Sequence, residues 1–320
     1  MAERSKRIIL KVDEKEINKE TIKLYKKYKI GMSIKELSEK TIYNYEKDLY
    51  SWFSYIHIFQ DNKPITEIDE DDLTEYFYYC KGEGNNSRRI KRRMSSISAF
   101  YIFLKKKRMI KENPMEYIDR PQKDTDVVVQ TFLNQEQVDE LIDKLEEKGN
   151  LQLLTYVCLG LSSLGRVNAL TSVTWEQLSL EEMCFKDVTE KEGYIVELSF
   201  DDYTKELLEK LKEQRENKGI DCPYVFISLY DGKYERVENS TANNWVKGAG
   251  RLIGIDTLHN HDLRHSGANI MKDAGADLQT VSRCLNHSGT DVTIKHYLKE
   301  NTSKLKEDKI KFGCMKNRKK

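Results

Sequence analysis

The sequence predicts a mainly α-helical protein with a small antiparallel β-sheet, divided between a helical N-terminal unit and a larger mixed α/β unit. Three observations carry this. Long stretches repeat apolar residues at three- and four-residue steps, the period of an amphipathic helix. Short runs at 173–180, 183–188 and 194–200 alternate or stay apolar over strand-like lengths. Between the two regions, Asn113-Pro114 and Arg120-Pro121 lead into a charged, aperiodic segment of the kind that links domains.

Composition bounds the function. A chain of 320 residues is long enough for two domains, each with its own core. Hydrophobic residues at 38% beside 33% charged residues describe a globular chain rather than a disordered one. The 54 Lys+Arg against 53 Asp+Glu leave a net charge of only +1, so a surface for phosphates has to arise from local segregation of charge. Six cysteines without a CxxC pair argue against a zinc ribbon and against a disulfide framework. Residues 1–11 lack the apolar core of a signal peptide, and no apolar run is long enough to span a bilayer. A cytoplasmic protein with no membrane partner is expected.

Taken in order, residues 1–33 read as a charged N-terminal extension with a short helix at 14–28. Residues 34–121 form the helical unit. Ser38 can cap a helix whose apolar face runs through Ile42, Tyr45, Leu49, Trp52, Phe53 and Ile56. An acidic turn precedes a second helix at 73–80, and a loop at 81–86 leads to a helix from Ser87 to Leu104. In that last helix Ile90, Met94, Ile97, Tyr101 and Leu104 make the core stripe, while Arg88, Arg89, Arg92 and Arg93 fall off it with Ser95 and Ser96. Arginines and small hydroxyls on one face suit contacts to backbone phosphates, and equally suit a solvated basic face. A linker is placed at 122–132, the larger unit at 133–303 and a charged tail at 304–320. The larger unit opens with helices at 134–148 and 151–161. Its strand runs follow, with a turn at Glu190-Lys191-Glu192-Gly193. Helices at 202–216 and 240–253 flank a strand at 224–228, and the chain is helical from His261 on.

The densest chemistry lies between His261 and Tyr297. His261 and Arg264, three residues apart, share one face of a helical turn, where a guanidinium fork and an imidazole could meet a phosphate. His265 points elsewhere and reads as a packing residue. Taken alone, the pentapeptide from His261 to His265 is an ordinary helix start, and a metal would need a third ligand that nothing nearby supplies.

The spacing beyond it is more specific. His261-Asp262-Leu263-Arg264-His265-Ser266-Gly267, then Gly275, then Leu285-Asn286-His287 and finally Tyr297 resemble the C-terminal signature of the tyrosine recombinase, or phage integrase, family and its Xer-like site-specific recombinases. An earlier segment, Gly165-Arg166-Val167-Asn168-Ala169-Leu170, resembles the family's first catalytic arginine. It departs twice: an apolar residue usually stands where Gly165 is, and an acid usually stands at Ala169, three residues after the arginine. Loss of that acid removes a carboxylate that would orient Arg166. The family also uses a lysine on the hairpin between its second and third strands. Lys191 fits that place, with Lys186 as the alternative. Thr41, Tyr45, Asp48, Leu49, Phe53 and Tyr55 resemble the first helix of the family's core-binding domain.

The resemblance implies a helical core-binding, DNA-binding domain over 34–121 and a catalytic domain over 133–303. It turns Arg88, Arg89, Arg92 and Arg93 into expected DNA contacts. It also implies that Tyr297 attacks a DNA phosphodiester to form a 3′-phosphotyrosyl bond. His261 would take up the tyrosine proton, Arg166, Arg264 and His287 would hold the phosphate oxygens, and Lys191 would protonate the leaving oxygen. No metal or other cofactor is expected, because guanidiniums and imidazoles supply the charge. Expected partners are double-stranded DNA with specific recombination sites, further copies of the chain as dimers and a tetramer on DNA, and accessory DNA-bending proteins. The resemblance adds that the protein is nucleoid-associated. Strand exchange would pass through a Holliday junction, for integration or excision of an element or for dimer resolution. Two rival readings remain at this point: a type IB topoisomerase, and a DNA-binding relative with impaired catalysis.

Overall fold

The computed structural model describes residues 8, 10, 12–122, 132–190 and 193–286. The chain forms two compact units that divide between Val129 and Gln130.

The N-terminal unit contains α1 (Lys19–Ile34), α2 (Glu39–Phe59), α3 (Glu70–Gly82) and α4 (Ser87–Lys106), followed by a 3-10 turn at Pro114–Tyr117. Each α-helix starts at a polar residue that satisfies amide groups the helix leaves without partners. Ser38 accepts from the Thr41 amide and Asn86 from the Arg89 amide. Asp69 and Asp72 cap α3 reciprocally. Asn18 caps α1, which is why that helix begins later than the expected residue 14; residues 13–16 form a turn instead.

The separation of residues 1–33 as an extension needs correction. Leu24, Tyr25, Tyr28 and Met32 of α1 are buried in the same core as Trp52, Phe53, Tyr76, Phe100 and Tyr101. Tyr28 packs its ring 5.1 Å from that of Phe100. The lysines of α1 occupy its outer side and mask its apolar face in a reading by composition.

In the C-terminal unit, α6 (Leu151–Ser162) is buried along most of its length and packs against α5 (Gln135–Lys148), α7 (Val167–Ser172), α8 (Asp202–Asn217) and α10 (Asn260–Asp273). A three-stranded antiparallel sheet runs β1 (Leu178–Ser179), β2 (Cys184–Thr189), β3 (Ile195–Ser199). The first expected strand, at 173–180, is mostly irregular. Its Val173 is buried in the core, and Thr174 makes an isolated bridge to Tyr224.

Between Phe185 and Val188 the register of β2 against β3 shifts by an extra residue on β2, a bulge with Asp187 at φ +54°. A second hairpin, β4 (Ile227–Tyr230) and β5 (Lys233–Arg236), turns on Asp231 and Gly232, both at positive φ. That Asp-Gly pair is the sequence signal for a tight hairpin, and the single strand expected at 224–228 overlooks it. α9 (Asn239–Gly250) precedes α10, and α11 (Leu278–Cys284) follows it. No described helix is long and apolar enough to cross a membrane.

Candidate active site

The first two turns of α10 carry His261, Arg264 and His265, and three contacts fix where those turns lie. His259 and Asp262 cap the helix reciprocally: Asp262 accepts from the His259 amide at 3.0 Å, and His259 Nδ1 accepts from the Asp262 amide at 3.3 Å. Asn260, 4% exposed, accepts from the Tyr156 hydroxyl of α6 at 2.6 Å and donates to Asn243 of α9 at 2.8 Å. Ser266 accepts from the Leu133 amide at 2.9 Å. The helix start is thus tied to α6, to α9 and to the chain entering α5.

Arg264 is 1% exposed. Its Nη1 donates to the Leu164 carbonyl and its Nη2 to the Leu285 carbonyl. One guanidinium therefore joins the loop two residues before Arg166 to the end of α11, immediately ahead of the Asn286-His287 pair. Leu164 has φ +54°; this left-handed turn, uncommon for a residue with a side chain, precedes Gly165. Gly165 itself has a steric reason: a Cβ there would lie 2.8 Å from Leu170 Cδ2. The departure from the family pattern at 165 is thus accommodated by Leu170 folding back over the loop.

Arg166 stands at the N-cap of α7, without a side-chain cap hydrogen bond. Its Nη1 pairs with Oε2 of Glu190, whose side chain is 3% exposed against 30% for the arginine. α7 is held from its far side: Arg236 of β5 donates to Asn168 Oδ1 and to Thr171 Oγ1, both at 2.8 Å, and Thr171 donates to Asn239 at 2.7 Å.

Burial lowers the His261 imidazole from its ordinary value of 6.5 to about 4, with repulsion from Arg264, His259 and Arg166 adding to it. The residue as a whole is nonetheless exposed, so the burial acts on one side of the ring. A neutral imidazole beside two guanidiniums can accept a proton at neutral pH and is reachable from outside. His265 is buried and packs edge-on to Phe132 and to His261, as its packing role requires.

Lys191, His287 and Tyr297 lie outside the described residues, as do the tail from 304 and most of the linker at 122–132. Lys186, the alternative to Lys191, sits at the β2 bulge and pairs with Glu182 at 2.6 Å. Among the described hairpin residues, Glu190 is the one paired with Arg166.

In the N-terminal unit the four arginines of α4 separate. Arg88 is exposed, and Arg89 and Arg92 are partly so. Arg93 is 2% exposed, which corrects its placement on the outer face. It donates to Asn85 Oδ1 at 2.9 Å, Ser51 Oγ at 2.9 Å and Tyr76 OH at 2.8 Å. Ser96 is buried as well and donates to Asp48 at 3.0 Å. Asp48 of α2, 1% exposed, pairs with Arg92 and lies 4.0 Å from Arg89. It supplies the carboxylate that α4 lacks, and the sequence reading had no means of placing it there.

Both units are similar to known proteins. The phage integrase family matches residues 131–304, and the N-terminal SAM-like domain of phage integrases matches residues 22–108. The tyrosine recombinase XerD of Oceanobacillus iheyensis is 28% identical over 272 residues, covering 80% of this chain and 86% of its own. The tyrosine recombinase XerC of Pediococcus pentosaceus is 26% identical over 306 residues, covering 92% and 97%.

Among solved structures, the Tn1549 transposon integrase in complex with circular intermediate DNA superposes with a TM-score of 0.71 at 15% identity, over 90% of this chain and 98% of that one. A lambda integrase dimer bound to a COC′ core site gives 0.67 at 15% identity, over 86% and 94%. At those identities the likeness concerns the fold. The chain belongs to the phage integrase family. It is a tyrosine-type site-specific recombinase, an enzyme of DNA cleavage and rejoining.

Proposed function

We propose that Tyr297 is the nucleophile of this recombinase and that Arg166, Lys191, His261, Arg264 and His287 complete its site. The Tyr297 hydroxyl attacks a DNA phosphodiester in line. A bond forms between the tyrosine oxygen and phosphorus, and the bond from phosphorus to the 5′-oxygen breaks. A phenol with a reference pKa of about 10 is a weak nucleophile at neutral pH. His261 accepts its proton, Arg166, Arg264 and His287 stabilise charge on the non-bridging oxygens, and Lys191 delivers a proton to the leaving 5′-oxygen. The 3′-phosphotyrosyl bond keeps the energy of the broken linkage, so a second strand's 5′-hydroxyl can reverse the step. Repetition on paired strands gives exchange through a Holliday junction.

What supports this reading is the placement of Arg264, whose guanidinium joins the Leu164 loop that leads into Arg166 to the Leu285 carbonyl just ahead of His287 in the chain. For the N-terminal unit, Arg88, Arg89 and Arg92 are the DNA-contact candidates, while Arg93 supports the helix from inside. The DNA-bound relatives favour double-stranded DNA as partner, with copies of this chain assembled on specific sites as dimers and a tetramer in the cytoplasm.

A nicked oligonucleotide that traps cleaved product tests the chemistry. The wild-type protein is expected to form an adduct that survives denaturation, and Tyr297→Phe none. An adduct undiminished in Tyr297→Phe would refute the nucleophile.

A further inference from the structure

We infer that Glu190 is the positioning carboxylate of Arg166, taking the part left empty by Ala169, and that it ties this arginine to the hairpin bearing Lys191. The inference rests on the functional reading above and deepens it.

The family pattern places an acid three residues after its first arginine. Here Ala169 stands in that place, fully buried in the apolar core. An arginine that must meet a phosphate in one orientation needs a partner that fixes its guanidinium beforehand. Glu190 is such a partner. It is distant in sequence, almost wholly desolvated, and paired through Oε2 with Arg166 Nη1. Its backbone amide donates to the Tyr194 carbonyl at 2.7 Å, so the carboxylate is held by hairpin closure. Its Oε1 is buried without a hydrogen-bond partner among the described residues, so Arg166 is the described cation that compensates it. A guanidinium carries five N–H donors. One contact to Glu190 leaves the others for a phosphate, and the arginine's 30% exposure shows that it is reached from outside.

The β2 bulge provides an independent structural reason. Along a regular strand alternate residues face one side, so a strand that buries Phe185 would bury 187 and 189 next. The extra residue inverts that phase. Asp187 and Thr189 are exposed, whereas Val188 and Glu190 are buried. The bulge thus turns Glu190 inward to Arg166. The residue that holds Arg166 is also the direct neighbour of Lys191 in the chain, so displacement of the hairpin is transmitted to both.

The test uses full-length protein and the nicked trapping substrate, in two forms: an ordinary scissile phosphate and a methylphosphonate, which lacks one negative oxygen. Glu190→Gln keeps the shape and removes the charge. It is expected to slow adduct formation on the phosphate about 10–100-fold, by analogy with loss of the partners that orient metal-binding side chains, with DNA binding and melting temperature near wild type. On the methylphosphonate, which asks less of Arg166, the difference from wild type should shrink. In an Arg166→Ala background Glu190→Gln should add no further loss.

Equal rates for wild type and Glu190→Gln would overturn the positioning role. So would a faster Glu190→Gln, which would make the carboxylate a competitor of the phosphate. A loss that is equal on both substrates and additive with Arg166→Ala would make Glu190 a general structural residue and likewise overturn it. Absence of any adduct from wild type would instead sink the phosphotyrosyl reading on which the inference stands.

Discussion

Gly267→Ala gives a demanding test of how the site is assembled, because two known effects oppose each other. Gly267 lies in α10, one turn beyond Arg264, and alanine is favoured over glycine in a helix by about 1 kcal/mol. A Cβ at this position, however, would lie 2.2 Å from the Leu161 carbonyl oxygen and 2.6 Å from Leu164 Cδ2. The first of these is backbone at the end of α6 and cannot rotate away. Reaching ordinary contact requires the two helices to part by about 1 Å, and such overpacking costs roughly 1–3 kcal/mol, with a rigid backbone obstacle at the upper end. Clash outweighs propensity, for a net loss of about 2 kcal/mol. For a unit of this size each kcal/mol lowers the melting temperature by about 2–4 °C, so a fall of about 4–8 °C is expected.

The functional effect should exceed the thermal one. Leu164, displaced in the same movement, is the residue whose carbonyl receives Arg264. A displacement near 1 Å in a reacting constellation can cost about 100-fold in rate. Adduct formation measured well below the melting transition should therefore fall by about that factor. A melting temperature equal to or above wild type, with an undiminished adduct rate, would refute the reasoning.

Two further predictions address the arginines and the histidine. Arg93→Ala should lower the stability of the N-terminal unit by about 2–4 kcal/mol, since Asn85, Ser51 and Tyr76 lose their buried donor. Arg88→Ala, at an exposed position, should lower the melting temperature far less than Arg93→Ala while weakening DNA binding and reducing the salt slope by about 0.9. Equal thermal effects of the two would show that the division between inner and outer arginines is wrong. In the proposed role His261 acts as a base in its neutral form, and burial with repulsion from Arg264 lowers its value from 6.5 to about 4. Activity is therefore present above that value and lost as pH falls through it. The second-order rate of adduct formation, which reports the free enzyme, should keep its acid limb well below 6.5. A limb at or above 6.5 in wild type, absent from His261→Ala, would refute this.

Local features were legible from the sequence and long-range ones were not. Ser38 and Asn134 start their helices where their caps place them, because capping involves only the next three residues. The α4 stripe through Ile90, Met94, Ile97 and Tyr101 is buried as its period demands. Arg93 was misplaced although its phase was readable: it lies three residues after Ile90 and four before Ile97, on the core side. Its charge suggested the outside, and the acceptors that permit its burial come from α2, α3 and the loop before α4. The arginine pairings of Asp48 and Glu190 were illegible for the same physical reason, since each meets its arginine across more than twenty residues of chain. For Glu190 the bulge adds a second obstacle, because strict alternation from Phe185 points it outward.

That obstacle bears on the departures at Gly165 and Ala169, which on sequence grounds motivated the rival reading of a relative with impaired catalysis. Each departure meets a local answer in the fold. The space beside Gly165 is filled by Leu170, so glycine there belongs to a close-packed loop rather than a slack one. The carboxylate missing at Ala169 is present on the neighbouring hairpin, already paired with Arg166. Arg264 meanwhile binds the same loop through the Leu164 carbonyl. The Arg166 side chain is thus held by one desolvated carboxylate, and the loop ahead of it is packed by Leu170 and bound by Arg264. Those two positions therefore give no structural ground for impairment, and Arg166 takes its carboxylate partner from the hairpin rather than from its own helix.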